Sequence, residues 1–450
     1  MPNLRSKSVI LILLCSAFSL LVGRALDQSS GAGVSSYRAV YYGARCLLQH
    51  ADPYDPAQFS RVYMAEDAAL PRDPSHRPPF LRAVMVCVNL PTTLFLLLPL
   101  ALLPWGLSHL LWLAAIALSL TAAAVLAYDL TPQTDSHLPL FLVCFLMANC
   151  EVLFTVANTA GIAVGLCVIS VWCFVRNRFE GFGVVCLAIS LALKPHDSGL
   201  IWLWLLASGG LLRKRALQTA LFVAAIALPA VLVVGQSSPH WRSELTANLA
   251  ATSAHGDISD PGPASSSRKG SADIIIDLQT VLSLFNENPG FYNPASLLIA
   301  GGLLVAVLFR TIWSGASFPN AWFAVAAVSA LTMLPSYHRP YDARLLLLAM
   351  PATAMLWATQ NTMQKATALL SVFAIVFTAD IPLALVSMLT HNLDLARMGL
   401  AERALLLPIV RPASLLLLLL AIFLTLVCAR SLGIHARVRN AMATHAAISK

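Results

Sequence analysis

The sequence predicts an all-α, polytopic transmembrane helical bundle, and three observations predict it. Of 450 residues, 58% are hydrophobic and only 11% charged, against roughly 25% charged in an ordinary soluble domain. Apolar runs recur along the whole chain, many near the roughly 20 residues that a lipid crossing requires. Lys and Arg outnumber Asp and Glu by 29 to 21, and most of the excess falls between apolar runs, where positive charge fixes orientation. No nucleic-acid partner is expected from charge placed in this way.

The first run, Ser8 to Val22, lacks a convincing small-residue cleavage site and is followed by many equally apolar runs, so it is read as a retained first span. Long runs lie near 8 to 24, 107 to 127, 216 to 235, 319 to 335, 365 to 388 and 405 to 428. Shorter or polar-interrupted runs cover 83 to 103, 138 to 157, 158 to 175, 181 to 193, 198 to 212, 294 to 310 and 343 to 358. Short, broken helices point to a protein-lined cavity at membrane depth.

The positive-inside rule assigns Arg5, Lys7, Arg176, Arg178, Arg213 to Arg215, Arg310, Lys365, Arg430, Arg437 and Arg439 to the cytoplasm. Residues 1 to 450 then form a single transmembrane domain of about twelve spans, with both termini and a 429 to 450 tail in the cytoplasm of a bacterial-type plasma membrane. Parity requires an odd number of crossings between residue 83 and Arg176. One segment there therefore fails to cross fully, either 83 to 103, interrupted by Asn89 and Pro91, or 138 to 175, interrupted by Asn149, Glu151 and Asn158. Two long outer loops remain, 25 to 82 and 236 to 293, and loops of that length are usually functional.

Soluble-enzyme motifs are absent: there is no CxxC, no HExxH and no Gly-rich phosphate loop. Eight of the nine cysteines lie in apolar runs and Cys46 alone in a polar stretch, so no disulfide framework and no thiolate metal site is expected. Neither a cofactor nor a resident metal is expected. A weaker divalent-cation option exists at His240, His255 and Asp257 in the second outer loop.

Loop 1 carries the densest constellation, Ser35-Ser36-Tyr37-Arg38-Ala39-Val40-Tyr41-Tyr42-Gly43-Ala44-Arg45, followed by His50-Ala51-Asp52-Pro53-Tyr54-Asp55-Pro56. Tyr41, Ala44 and Leu48 fall at helical spacing, which predicts an amphipathic helix at the interface. In these residues the sequence resembles the integral-membrane GT-C glycosyltransferases, in particular the polyprenol-phosphate-mannose-dependent α-mannosyltransferase branch. That family shows an Asp-aromatic pair before a Tyr-Tyr-type helix and then a Pro-Tyr-Asp-like turn. The resemblance implies a GT-C-like fold and a mannose-like hexose carried on a polyprenyl phosphate as co-substrate. It also implies a lipid or glycan acceptor and a first-loop carboxylate as general base for an inverting displacement. At the family Asp this chain has Ser36, which cannot act as a carboxylate. The substitute acids are Asp27, directly after the first span, then Asp55 and Asp52, although Asp-Pro-Tyr-Asp-Pro is also ordinary turn chemistry.

Two further motifs complete the reading. In Lys194-Pro195-His196-Asp197, a Lys-Pro pair similar to that of GT-C relatives implies a lipid-phosphate contact by Lys194, and His196 is a candidate to donate a hydrogen bond to phosphate or to shuttle a proton. Ser336-Tyr337-His338-Arg339-Pro340-Tyr341-Asp342-Ala343-Arg344 packs aromatic and ionisable residues into one short turn. There Arg339 offers a planar fork for phosphate, beside His338, with Arg38 of loop 1 as a further contact. Tyr41, Tyr341, Asp342, Asp197 and His240 are the candidate substrate contacts, the tyrosines by their faces. Membrane lipids, the polyprenyl-linked sugar and the acceptor are the expected partners. A transporter or flippase is the competing class, but it would place ionisable residues near mid-bilayer on facing halves. A catalytically silent lipid-binding relative is the other.

Overall fold

The computed structural model describes residues 2–29, 36–66, 86–132, 136–265, 275–314, 321–359 and 361–448. Helices account for nearly all of the regular structure, and no strand occurs among the described residues. Parts of both predicted outer loops, the start of the 83 to 103 run and the side chains of Arg5, Arg437 and Arg439 lie outside this description.

Among the described residues six helices are long and apolar enough to cross a membrane: Ser6–Gln28, Trp105–Leu130, Leu138–Val156, Gly210–Ser237, Pro289–Trp313 and Pro412–Arg430. The pair Thr362–Phe377 and Asp380–Thr390 would make a seventh, but it bends by 73° at its break. Shorter apolar helices are Pro91–Ala101, Ala160–Arg176, Glu180–Leu193 and Ala321–Thr332. Only 17% of the most apolar window of Gly210–Ser237 is buried within the protein, and Leu221, Leu228 and Leu232 stand exposed along it. Exposed apolar faces of this extent are stable against lipid and not against water. The protein is a helical membrane protein.

Several runs differ from their sequence reading. The 319 to 335 run yields only the Ala321–Thr332 helix, whose end tightens into i→i+3 bonds from Met333 and Leu334 ahead of Pro335, a residue that cannot continue a helix. The 405 to 428 run is split at Arg411 by Pro412, and the last helix continues from Pro412 to Ile448, beyond the start of the predicted tail. By contrast, the 294 to 310 run belongs to a helix of spanning length, and the 138 to 157 run reaches that length as two successive helices, Leu138–Ala148 and Glu151–Val156. The break predicted around Asn149, Glu151 and Asn158 occurs twice: once at Asn149–Cys150 and again at Ala157, where a left-handed residue with φ 49° ends the Glu151–Val156 turn.

Small residues set the tightest packing. Gly161 and Gly165 present a Gly-x-x-x-Gly face of the Ala160–Arg176 helix to Trp105–Leu130. A Cβ at Gly165 would lie 2.8 Å from the Ser119 backbone. In lipid, where burying apolar surface gives helices no reason to associate, such close backbone approach supplies the van der Waals contact.

The bundle has two chemically distinct ends. Arg176 pairs with Asp129 at 2.9 Å, and Arg215 pairs with Glu180. Asn158 and Thr159, at the opposite end of the Ala160–Arg176 helix, border a polar cavity. A helix of 17 residues separates the two ends by about 25 Å at 1.5 Å per residue, close to the hydrocarbon thickness of a bilayer.

Candidate functional site

Proline places the central cation. Pro195 sits at the first position of the Pro195–Ala207 helix, and Lys194 before it is held extended at φ −154°, ψ 81°, as a residue preceding proline must be. The break between two helices therefore presents Lys194 laterally. Thr93 Oγ1 donates to the Leu193 carbonyl at 2.9 Å and Thr92 Oγ1 to that of Ala192 at 2.6 Å, satisfying acceptors freed at the end of the preceding helix.

Around Lys194 the second and third motifs meet. Its Nζ is paired with Asp342 Oδ1 and lies 3.4 Å from Asp197 Oδ2, and it stands 5.3 Å from the centre of the Tyr341 ring. Asp342 Oδ2 accepts the Arg339 backbone N–H at 2.8 Å, which fixes the turn. The Arg339 guanidinium donates to Tyr337 Oη at 2.5 Å and to the Ile258 carbonyl at 3.1 Å. His196 and His338 meet edge to face with ring centres 5.1 Å apart. Burial works against the Lys194 ammonium, but Asp197 and Asp342 more than offset it, so its pKa lies above the ordinary lysine value. Burial pushes the His338 imidazole the other way, below its ordinary value, with Asp342 opposing and Lys194 assisting.

These groups form one wall of a cavity of about 440 Å³. Lys194, His196, Tyr337, Arg339 and Tyr341 line it, while Asp197, His338 and Asp342 are not among its lining residues. Loop 1 contributes Ser36, Ala39 and Val40, and the second long loop contributes Leu249, Thr252 and Ser253 from the end of the Trp241–Thr252 helix, with Ile258 and Ser259 beyond it. Polar residues that the sequence reading left unassigned or placed elsewhere, Asn89, Thr93 and Asn158, complete the lining. Asn158 Nδ2 donates to Tyr341 Oη at 3.2 Å, so the helix break at Ala157 also orients the tyrosine.

The remaining sequence candidates fall elsewhere. Asp27 lies inside the first helix, not after it, and pairs with Arg24 at 2.8 Å. Asp52 Oδ1 accepts the Tyr54 N–H at 2.8 Å, and Asp55 accepts from the Ala57 N–H and the Gln58 amide, both at 2.9 Å. Those two bonds hold the Asp55 carboxyl below its usual pKa, the Gln58 amide contributing most. None of the three acids lines the cavity. Arg38 and Tyr41 border a separate cavity of about 560 Å³ with Arg45 and Trp105. There the Arg38 guanidinium lies 4.7 Å from the centre of the Trp105 ring. Their helix, Tyr37–Leu48, is buried on nearly every side and leaves Leu48 exposed, the reverse of an interfacial helix. His240 is exposed before the Trp241–Thr252 helix and is absent from the cavity lining. His255 faces Asp260 at 3.6 Å rather than Asp257.

Compared with protein-family models, with curated proteins and with solved structures, the chain matches none.

Proposed function

We propose that this chain is a membrane glycosyltransferase that moves a mannose-like hexose from a polyprenyl-phosphate donor to a lipid or glycan acceptor at the outer face of a bacterial-type plasma membrane. In this reading the fold is GT-C-like. It has about twelve crossings with both termini cytoplasmic, and the six long helices, the bent pair and the four shorter apolar helices among the described residues are the candidates for them. The observation that carries the reading is the convergence of both long loops, the Lys194 motif and the Arg339 motif on one cavity. Cations and hydrogen-bond donors face inward there, with Asp197 and Asp342 behind them. Lys194 and Arg339 hold the donor phosphate, the arrangement by which preorganised cations stabilise a leaving phosphate. Tyr337 and Tyr341 offer ring faces to the sugar, and Val40, Leu90 and Leu249 offer apolar surface to the isoprenoid.

One observation favours a second reading. Among the described residues no carboxylate lines the cavity, and its wall includes Ser36, the position at which the sequence differs from the Asp of the family it resembles. A catalytically silent lipid binder fits that wall. The purified chain in lipid vesicles, given a polyprenyl-phosphate-linked labelled hexose and membrane acceptor lipids, separates the two. The enzyme reading expects transfer that falls about a hundredfold in Lys194→Gln and Arg339→Gln, the scale of one lost charge-stabilising contact. Donor binding without transfer, with transfer gained only in Ser36→Asp, supports the silent relative. Neither binding nor transfer overturns both.

A further inference from the structure

Behind the cavity wall lies a buried carboxylate whose hydrogen-bonding capacity is unused. Asp197 is fully buried, and neither of its oxygens has a hydrogen bond of ordinary geometry among the described residues. Lys194 stands 3.4 Å from Oδ2, the long end of an ion pair, and has Asp342 as its nearer partner. Oδ1 faces two imidazoles, with His196 Nε2 at 3.6 Å and His338 Nε2 at 3.7 Å. His338 is 1% exposed, and its Nε2 is likewise without a hydrogen bond. Buried polar atoms are nearly always satisfied, so adjacent unsatisfied atoms on Asp197 and His338 call for a missing partner.

The geometry points to a divalent transition-metal site, zinc by its donor set, formed by His196, Asp197 and His338. One ligand atom from each residue lies within 4.8 Å of the others. A zinc ion with bonds of about 2.0–2.1 Å needs ligand atoms roughly 3.3 Å apart, so the two Asp197 separations require a contraction of a few tenths of an ångström, while the two imidazoles, whose ligand atoms lie within 4.8 Å of each other, must close by up to about 1.5 Å through a turn of the half-exposed His196 side chain. One tautomer of His338 suits a metal. His338 Nδ1 is directed at the Ser336 carbonyl, and an Nδ1–H donated there leaves the Nε2 lone pair for a metal, the usual backing of a ligating histidine. Asp197 Oδ2 turns toward Lys194 and leaves Oδ1 for the ion. Access is provided by His196, whose side chain is 40% exposed and lines the cavity. Two imidazoles and a carboxylate leave one coordination position for water or a ligand oxygen, the pattern of open rather than structural zinc sites. The charged side chains of this cluster, Lys194 and Arg339 against Asp197 and Asp342, sum to zero, so the ion would give the cavity a net positive charge whatever ligand it takes.

The test uses the full-length chain in detergent, stripped with a chelator and titrated with zinc by calorimetry, with the bound metal counted by mass spectrometry. One zinc per chain is expected, with affinity reduced at least tenfold in Asp197→Asn and His338→Gln and unchanged in His255→Ala. Each variant is compared at matched monodispersity. His196→Gln, which alters a half-exposed side chain, provides the reading should a buried substitution prevent folding. Replacing zinc by cobalt should give a visible spectrum of low-symmetry Co²⁺ that His196→Gln removes. Failure of the folded parent to retain stoichiometric zinc overturns the site, as does undiminished binding in all three ligand variants or binding of magnesium in preference to zinc.

Discussion

Two buried ionic clusters in this protein use the same kinds of side chain and are completed differently. Arg344 and Asp380, 0% and 1% exposed, pair at 3.0 Å. Arg344 also donates to the Thr378 carbonyl at 3.3 Å and to that of Asn149, while Asp380 Oδ2 accepts the Val152 N–H at 2.8 Å. Both acceptor carbonyls belong to helix breaks, so this pair clasps two interrupted helices through backbone groups that lipid could not satisfy. Arg344 Nε is its one buried atom without a partner among the described residues, whereas the equally deep Lys194 cluster leaves both Asp197 oxygens and His338 Nε2 unsatisfied and adjoins a cavity. Burial of charge alone does not mark a functional site here. Incomplete satisfaction beside an opening does.

The comparison breaks most clearly at Arg344. Arg344→Ala leaves Asp380 buried without its charge partner, and removing one member of a buried pair costs about 3–5 kcal/mol. A large drop in melting temperature of the detergent-solubilised protein is expected. The double variant Arg344→Met with Asp380→Leu should recover much of it, because well-packed apolar groups often replace such pairs at little cost. A single variant that melts with the parent would show that the clasp contributes no stability.

Asp197→Asn sharpens the contrast from the other side. It removes a buried carboxyl with no hydrogen bond of ordinary geometry and leaves Asp342 to neutralise Lys194, so the unfolding free energy should stay within about 1 kcal/mol of the parent's, the scale of a single net hydrogen bond. A loss as large as that of Arg344→Ala would make the Lys194 cluster a second structural clasp.

The sequence showed these clusters unequally, for physical reasons. Membrane class followed from composition alone, because lipid permits few solutions to backbone hydrogen bonding. Lys194 was legible because a charge beside an apolar run must find water or a partner, and Pro195 marked the helix break that exposes it. Arg344 was visible within its motif, but Asp380 lay inside an apolar run and its bend was not seen. Asp380-Ile381-Pro382, an acid and a proline in a helix's first turn, was the local sign of that bend, but its clasp comes from a distant break at Asn149. The loop-1 acids were misleading because Asp-Pro-Tyr-Asp-Pro serves its own turn. The union of His196, Asp197 and His338 depends on how two remote motifs pack, which neither encodes alone.

Asp277 is an intermediate case, and its effect is spread over a pH range. Its Oδ1 accepts the Thr280 N–H at 3.0 Å, while Oδ2 is buried without a partner. Burial raises its pKa from 3.8 to about 7, against the opposing pull of the Thr280 N–H and of Arg411. A carboxyl whose folded pKa exceeds its unfolded value contributes stability that is complete below the unfolded pKa and is lost as pH rises through the folded one. The parent should therefore lose stability between about pH 4 and 7, by at most ~1.4 kcal/mol per pH unit, and then level off. Asp277→Asn keeps an acceptor for Thr280 without titrating, so its melting temperature should lack this component across the same window. Parallel melting curves for the two proteins from pH 4 to 8 would mean that Asp277 is ionised throughout and that Arg411 fully compensates it. It would then belong with the Arg344 clasp and not between the two clusters.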